Sequence, residues 1–411
     1  MSKYDNGKSG GNFDPTVLRD LAPIAAEIKP DNGRVSSPET NKEKEVGLKL
    51  EAGLVSVPGK YHEREARPDD RPRGNQDRGF CDVKNGVFAA FDGVGSLIGS
   101  ERASQTAVET LGMYIRRNPL KGSPEESMHF SAERWLHQYF VEANERVFEI
   151  TETSQRAAMM LSGYRNDVEI EGCQTVGVVA ITYFENGLPY LAWGVVGDCR
   201  AYLIENDTSG KIKRLTDDNF GIGMFDKREI ERIETLDKIS VVDVDEIVKD
   251  SGEDSQKVLD LHGLISRGSI ILQAIGTGDY LTYPAELHSG LALRQGMKIV
   301  LCSDGIYDNL SRDEICGVIQ KSGSAKIGVK ALVEKAQTVA STGALRSKDD
   351  DMTAVVIDVV EAASDVTKRK NSPKVDDHVG EMFVDTNDDG TSAFEHTSEY
   401  GIVDDEKNPG M

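Results

Sequence analysis

Six short apolar runs punctuate the middle of this chain, at Gly86–Phe91, Thr175–Phe184, Tyr190–Val196, Arg200–Ile204, Lys298–Cys302 and Thr353–Val360. Runs of this length bounded by turn-forming residues suit strands better than helices. Several follow one another through tight polar turns, a spacing that favours antiparallel hairpins over parallel βαβ units. Helical patterns come in separate blocks. Ser100 stands where it can cap a helix carrying Ala103, Ala107, Val108 and Leu111 on one face and ending at Arg116, Arg117 and Pro119. Trp135, Tyr139, Ala143 and Val147 mark a second helix, and a further one is expected from Ala325 to about Ala340. Ser311-Arg312-Asp313-Glu314 has the capping-box pattern ahead of Ile315, Val318 and Ile319. Antiparallel strands with segregated helices predict a layered α+β sandwich.

This globular pattern spans roughly 66–361 of the 411 residues. Residues 1–65 are rich in Gly, Asn, Lys, Glu and Pro and read as a poorly ordered arm, with one weak amphipathic stretch from Val17 to Ile28. Residues 221–268 are polar and aperiodic, as expected of a surface insertion or flap. Residues 362–411 read as a disordered acidic tail, for Val375 to Met411 carries eleven acidic residues and one basic one. The formal net charge of −22 argues against nucleic acid or an anionic membrane surface as a partner. Five scattered cysteines without a C-x-x-C pair read as free thiols in a reducing compartment, and no apolar run approaches a membrane span. A cytoplasmic location is the expectation. Asp385-Thr386-Asn387-Asp388-Asp389-Gly390 imitates the start of a calcium loop, but His396 stands where glutamate closes such loops, so an acidic turn is the better reading.

The chemistry lies where the apolar runs end. Gly74-Asn75-Gln76-Asp77, Phe91-Asp92-Gly93-Val94-Gly95, Cys302-Ser303-Asp304-Gly305 and Asp349-Asp350-Asp351-Met352-Thr353 each put an aspartate at or near a strand terminus. A strand end is a rigid mount, and glycine after the carboxylate lets backbone approach a bound ion. Mg²⁺ and Mn²⁺ take hard oxygen ligands, Mg²⁺ at roughly 2.0–2.1 Å, and keep several waters. Three or four converging carboxylates can hold two such ions about 3.5–4 Å apart. Singly, each segment is an ordinary Asp-Gly turn; the set and its order carry the argument.

That ordered set resembles the PPM (type 2C) metal-dependent serine/threonine protein phosphatases in their bacterial style. The matching segments are Asn75-Gln76-Asp77, Phe88-Ala89-Ala90-Phe91-Asp92-Gly93-Val94-Gly95, Val196-Gly197-Asp198-Cys199-Arg200, Ser303-Asp304-Gly305 and Asp350-Asp351-Met352-Thr353, with Arg214-Leu215-Thr216-Asp217-Asp218 and Ala274-Ile275-Gly276 as supporting matches. The resemblance implies an αββα four-layer sandwich of two antiparallel sheets flanked by helices. It implies two Mn²⁺ or Mg²⁺ ions, with Asp92 bridging them, the Gly93 carbonyl adding an oxygen, Asp304 and Asp350 completing one ion, and Asp77 serving the other. Asp198 and Asp308 match the positions of a third, weaker ion; for Asp198 a plain turn between hairpin strands is an equal reading, and the role of Asp308 stays equally open. Asp92 and Asp304 are the expected catalytic positions. Water bridging two cations is acidified toward neutrality, so a hydroxide is expected to attack phosphorus in line.

Departures from the family pattern are specific. Gln76 replaces the common acidic residue, Asp351 replaces asparagine and adds negative charge, and Val94 replaces the histidine of eukaryotic members. The phosphate-binding arginine falls out of register at Pro72, leaving Arg73 as the choice over Arg71. Cys199 and Cys302 adjoin key aspartates but read as small buried hydrophobes rather than nucleophiles. The function implied is hydrolysis of phosphoserine or phosphothreonine on proteins, opposing a serine/threonine kinase. The alternative is a non-catalytic domain of the same type that binds a phosphoprotein or a regulator.

Overall fold

The computed structural model describes residues 48–59, 74–94, 99–120, 130–161, 173–185, 188–205, 211–216, 271, 273–278, 286–344 and 347–362, all within the unit Val46–Met411. Among the described residues, ten strands form two five-stranded antiparallel sheets. The first sheet has the order β1 (Leu48–Val57), β10 (Met352–Glu361), β9 (Lys298–Cys302), β6 (Arg200–Ile204), β7 (Ile212–Arg214). The second has the order β2 (Arg78–Asp82), β3 (Val87–Gly93), β4 (Thr175–Glu185), β5 (Leu188–Val196), β8 (Glu286–Ala292). Helices α1 (Ser100–Arg117) and α2 (Ala132–Leu161) cover the second sheet; α4 (Arg312–Lys321) and α5 (Ala325–Ala340) cover the first, and the single turn α3 (Asp304–Tyr307) follows β9.

Period-two alternation along the strands explains the layering. In β3, Val87, Ala89 and Phe91 face the α1/α2 layer while Phe88 and Ala90 face the other sheet. In β10, Ala354 and Val356 pack beneath α4 and α5 while Val355, Ile357 and Val359 point between the sheets. Both faces of both sheets are therefore apolar, and three apolar interfaces separate four layers. The α+β, αββα expectation holds.

Residues 48–57, read from sequence as part of the arm, instead form β1 and pair along their whole length with β10. Leu48, Leu50, Ala52 and Leu54 face the inter-sheet core while Val55 and Val57 face α5's side; the alternation was diluted by Lys49, Glu51 and the polar flank before it. Ser311 caps α4 with both hydrogen bonds of the capping box. Ser100 does not cap α1: Gly99, at φ 88°, occupies that position and Ser100 Oγ donates to the Val94 carbonyl at 2.5 Å. No helix among the described residues is long and apolar enough to cross a membrane. Arg71, Arg73, the segment 221–268, the tail beyond 362 and the calcium-loop mimic lie outside the described residues.

Candidate metal centre

Register brings the aspartates to one end of the sandwich. In the first sheet Arg200 pairs with Cys302 and Cys302 with Ala354, so the start of β6, the end of β9 and the start of β10 lie level. In the second, Arg78 pairs with Phe91, Gly93 with Thr175 and Gly177 with Val196, which levels the start of β2, the end of β3, the start of β4 and the end of β5. The β5–β6 turn, Gly197 to Cys199, links the two sheets at that same end. Asp77, Asp92, Asp198, Asp304 and Asp350 all flank these termini. Asp92 shares its strand face with Phe88 and Ala90, which directs it into the seam between the sheets.

Close backbone approaches fix the loops. A Cβ on Gly93 would meet Ser100 Cβ at 2.8 Å and the Gln76 carbonyl at 2.9 Å, while Gly93 N–H donates to that carbonyl at 3.2 Å. A Cβ on Gly305 would meet the Asp351 carbonyl at 2.0 Å. Only glycine lets the segments around Asp92 and Asp304 close on their neighbours.

The seam is electrostatically loaded. Burial, then the charges of Asp77, Asp304, Asp350 and Asp198, hold the Asp92 carboxyl well above the usual carboxylate range, although the residue keeps some exposure to solvent. Asp77 is fully buried, and burial followed by the Asp351 charge pushes its carboxyl up, against a lowering by Ser303. Ser303 Oγ donates to Asp77 Oδ2 at 2.6 Å, whereas Asp77 Oδ1 has no hydrogen-bond partner. Asp304 Oδ1 and Gln76 Oε1 are likewise buried without one. Orphaned carboxylate oxygens in a crowd of like charge call for a cation.

A cation is present, and sequence reasoning missed it. Lys348 Nζ contacts Asp304 Oδ2 and lies 2.9 Å from Asp350 Oδ2 and 3.7 Å from Asp308 Oδ2. Burial pulls the Lys348 ammonium toward neutrality, but the carboxylates of Asp304, Asp308 and Asp350 outweigh it and raise its pKa well above the ordinary value. The available signal was a lone lysine opening an acidic run, Lys348-Asp349-Asp350-Asp351. Among the described residues, no group of three or more His, Cys, Asp or Glu side chains is arranged to hold a metal ion. The donor chemistry nevertheless fits a hard divalent ion: carboxylate oxygens, two of them unsatisfied, and no soft ligand required.

Asp351 does not merely add charge beside the site. Its Oδ1 accepts from Gly59 N–H at 2.7 Å and its Oδ2 from Gln76 N–H at 2.5 Å, so it clamps the end of β1 and the approach to Asp77 onto β10. Two acceptors meeting two donors is work for a carboxylate rather than an amide. Arg78 holds the same segment from the other side, donating to the carbonyls of Asn75 at 2.6 Å and Asp77 at 2.7 Å. At the β5–β6 turn the guanidinium of Arg200 lies 3.5 Å from the centre of the Tyr307 ring, whose hydroxyl donates to the Asp198 carbonyl at 3.0 Å. These contacts define the turn at Asp198, which joins strands of different sheets rather than the hairpin expected from sequence, and its charge acts on Asp92. Burial, then Asp92 and Asp198, raise the Cys199 thiol well above its ordinary value, which keeps it protonated and unsuited to nucleophilic attack.

Fold and site together define a four-layer α+β sandwich with an acidic seam at one end. Solved structures to which it is similar include PPM-type serine/threonine phosphatases. The catalytic domain of the phosphatase PstP, solved with two manganese ions, is 20% identical at a TM-score of 0.45, covering 77% of this chain and 100% of that one. MsPP from Mycobacterium smegmatis, in complex with cacodylate, is 21% identical at 0.44, covering 75% and 97%. PppA from Pseudomonas aeruginosa is 20% identical at 0.45, covering 76% and 99%. No family model matches the chain, and no curated protein matches it.

Proposed function

We propose that this chain is a PPM-type, metal-dependent phosphatase that hydrolyses phosphoserine and phosphothreonine on proteins and opposes a serine/threonine kinase. One observation carries the reading: carboxylates from five separate segments, Asp77, Asp92, Asp198, Asp304 and Asp350, flank the same end of the inter-sheet seam, with all four others acting on the charge of Asp92. Asp77, Asp92, the Gly93 carbonyl, Asp304 and Asp350 would hold two Mn²⁺ or Mg²⁺ ions, with Asp92 serving both, and Asp198 and Asp308 would hold a weaker third. When bound, such ions supply Lewis acidity toward water and toward phosphate oxygens.

The chain's own residues orient the site. Ser303 fixes one oxygen of Asp77 and leaves the other buried without a hydrogen-bond partner. Asp351 and Arg78 hold the backbone on either side of Asp77. Thr175 Oγ1 donates to the Asp92 carbonyl at 2.6 Å, setting the end of β3. Arg73 is proposed to bind the phosphate. No thiol takes part.

Release of phosphate from an aryl phosphate or a phosphopeptide with excess Mn²⁺ tests the reading. Turnover should fall about a hundred- to a thousandfold in Asp304→Asn, the scale of losing transition-state charge stabilisation. Equal rates for the two proteins exclude it. One observation favours a second reading, a non-catalytic phosphoprotein-binding domain: Lys348 already lies between Asp304 and Asp350. That reading expects phosphopeptide binding without turnover at any Mn²⁺ concentration.

A further inference from the structure

Lys348 is held in the acidic seam by its backbone as well as its charge. Its N–H donates to Asn309 Oδ1 at 3.0 Å, and its carbonyl accepts from Asn309 Nδ2 at 2.8 Å. Asn309 is fully buried and also donates to the Gly305 carbonyl at 2.8 Å, which ties the lysine to the turn that starts at Asp304. The ammonium reaches Asp304, Asp350 and Asp308 from this anchored base. Asp304 Oδ1 and Asp77 Oδ1, both buried, remain without hydrogen-bond partners.

We propose that Lys348 is a tethered competitor for the divalent ion on Asp304 and Asp350, and so sets how tightly that ion is held. The inference rests on the metal-site reading above and concerns a residue outside the proposed ligand set. An ammonium hydrogen-bonds carboxylate oxygens at about 2.7–2.9 Å, whereas an ion such as Mg²⁺ needs the same oxygens at roughly 2.0–2.1 Å. Drawn to the same carboxylates, the two cations repel, so binding of one weakens binding of the other. Tethering gives the ammonium a high effective concentration, so an ion from solution must displace it at every binding event. In the metal-free protein the lysine offsets part of the like-charge repulsion and lets the seam stay closed.

Calorimetric titration of MnCl₂ into the full chain and into Lys348→Met, each checked for a cooperative unfolding transition, tests this. The variant should hold Mn²⁺ at least about tenfold more tightly. Equal or weaker binding by the variant overturns the competition while leaving the ion site standing. Absence of Mn²⁺ uptake by both proteins overturns the competition and the metal-site reading together. Should Lys348→Met fail to fold, the unmodified chain decides: acetylation of Lys348 by acetic anhydride, followed by mass spectrometry, should rise several-fold on saturation with Mn²⁺. Labelling that stays constant contradicts displacement.

Discussion

The α1/α2 layer and the acidic seam lie against the same sheet and are built on opposite terms. Beneath the helices, Tyr114, Trp135, Tyr139 and Phe140 pack as tilted and edge-on ring pairs, and polar tips are satisfied: Tyr139 OH donates to the Ala107 carbonyl at 3.0 Å and Trp135 Nε1 to the Asn118 carbonyl at 2.9 Å. At the seam, carboxylates crowd together and two of them leave a buried oxygen unpartnered. Burial stabilises the first region and taxes the second. A fold of this kind tolerates a loaded site because three apolar interfaces elsewhere offset its strain.

Substitutions on either side of that divide should differ in size and in sign. Phe88→Ala, at a fully buried inter-sheet position, should cost about 3–5 kcal/mol in denaturant unfolding with or without Mn²⁺. A loss under about 1 kcal/mol would mean that the sheets do not share a packed core. Asp351→Asn should cost about 1–3 kcal/mol, because an amide leaves one of the N–H groups of Gly59 and Gln76 without an acceptor. Asp92→Asn sharpens the comparison, since the same chemical change nearby should stabilise the metal-free protein by about 1 kcal/mol while removing its stabilisation by Mn²⁺. Destabilisation by both asparagine variants would erase the distinction between a clamping carboxylate and a ligating one.

The smallest effect is a pH dependence in the helical layer. Burial, then the Glu142 carboxylate, pushes the Tyr114 hydroxyl up to about 12, against an ordinary value of 10.0. Because the folded-state value is the higher one, this contribution to stability is complete below the ordinary value and disappears as pH rises through about 12. In an alkaline absorbance titration, the phenolate signal missing from Tyr114→Phe should appear only near the end. An onset at the ordinary tyrosine value would show that the layer is open to water.

Sequence carried the strands that meet the periodicity rule on both counts, length and apolar content. Arg200–Ile204 and Lys298–Cys302 have the expected bounds, because both are short, buried and sharply terminated by turn residues. β1 was hidden: an edge strand shows only one buried neighbour, so charged Lys49 and Glu51 are tolerated and the segment resembles its polar surroundings. β2 and β8, also at sheet edges, escaped notice for the same reason.

The grouping of the aspartates at one end of the sandwich was legible because ordered motifs locate residues without any knowledge of packing. What those motifs left out is what only three-dimensional proximity reveals. Lys348 reads as one more surface lysine until β9 and β10 lie side by side, and Asp351 reads as surplus charge until the backbone of Gly59 and Gln76 arrives from more than 270 residues away. Ser303 is likewise a routine neighbour of Asp304 in sequence, and becomes the anchor of Asp77 only through the pairing of the two sheets' ends.

The proposed binding of divalent ions by Asp92, Asp304 and Asp350 is tested most directly by a crystal of the full chain grown with Mn²⁺ and measured at the manganese edge. Anomalous density bounded by carboxylate oxygens of Asp92, Asp304 and Asp350, with Lys348 Nζ moved off Asp304, is the expected result. Density elsewhere, or an acidic seam that still holds only the lysine at saturating Mn²⁺, contradicts it.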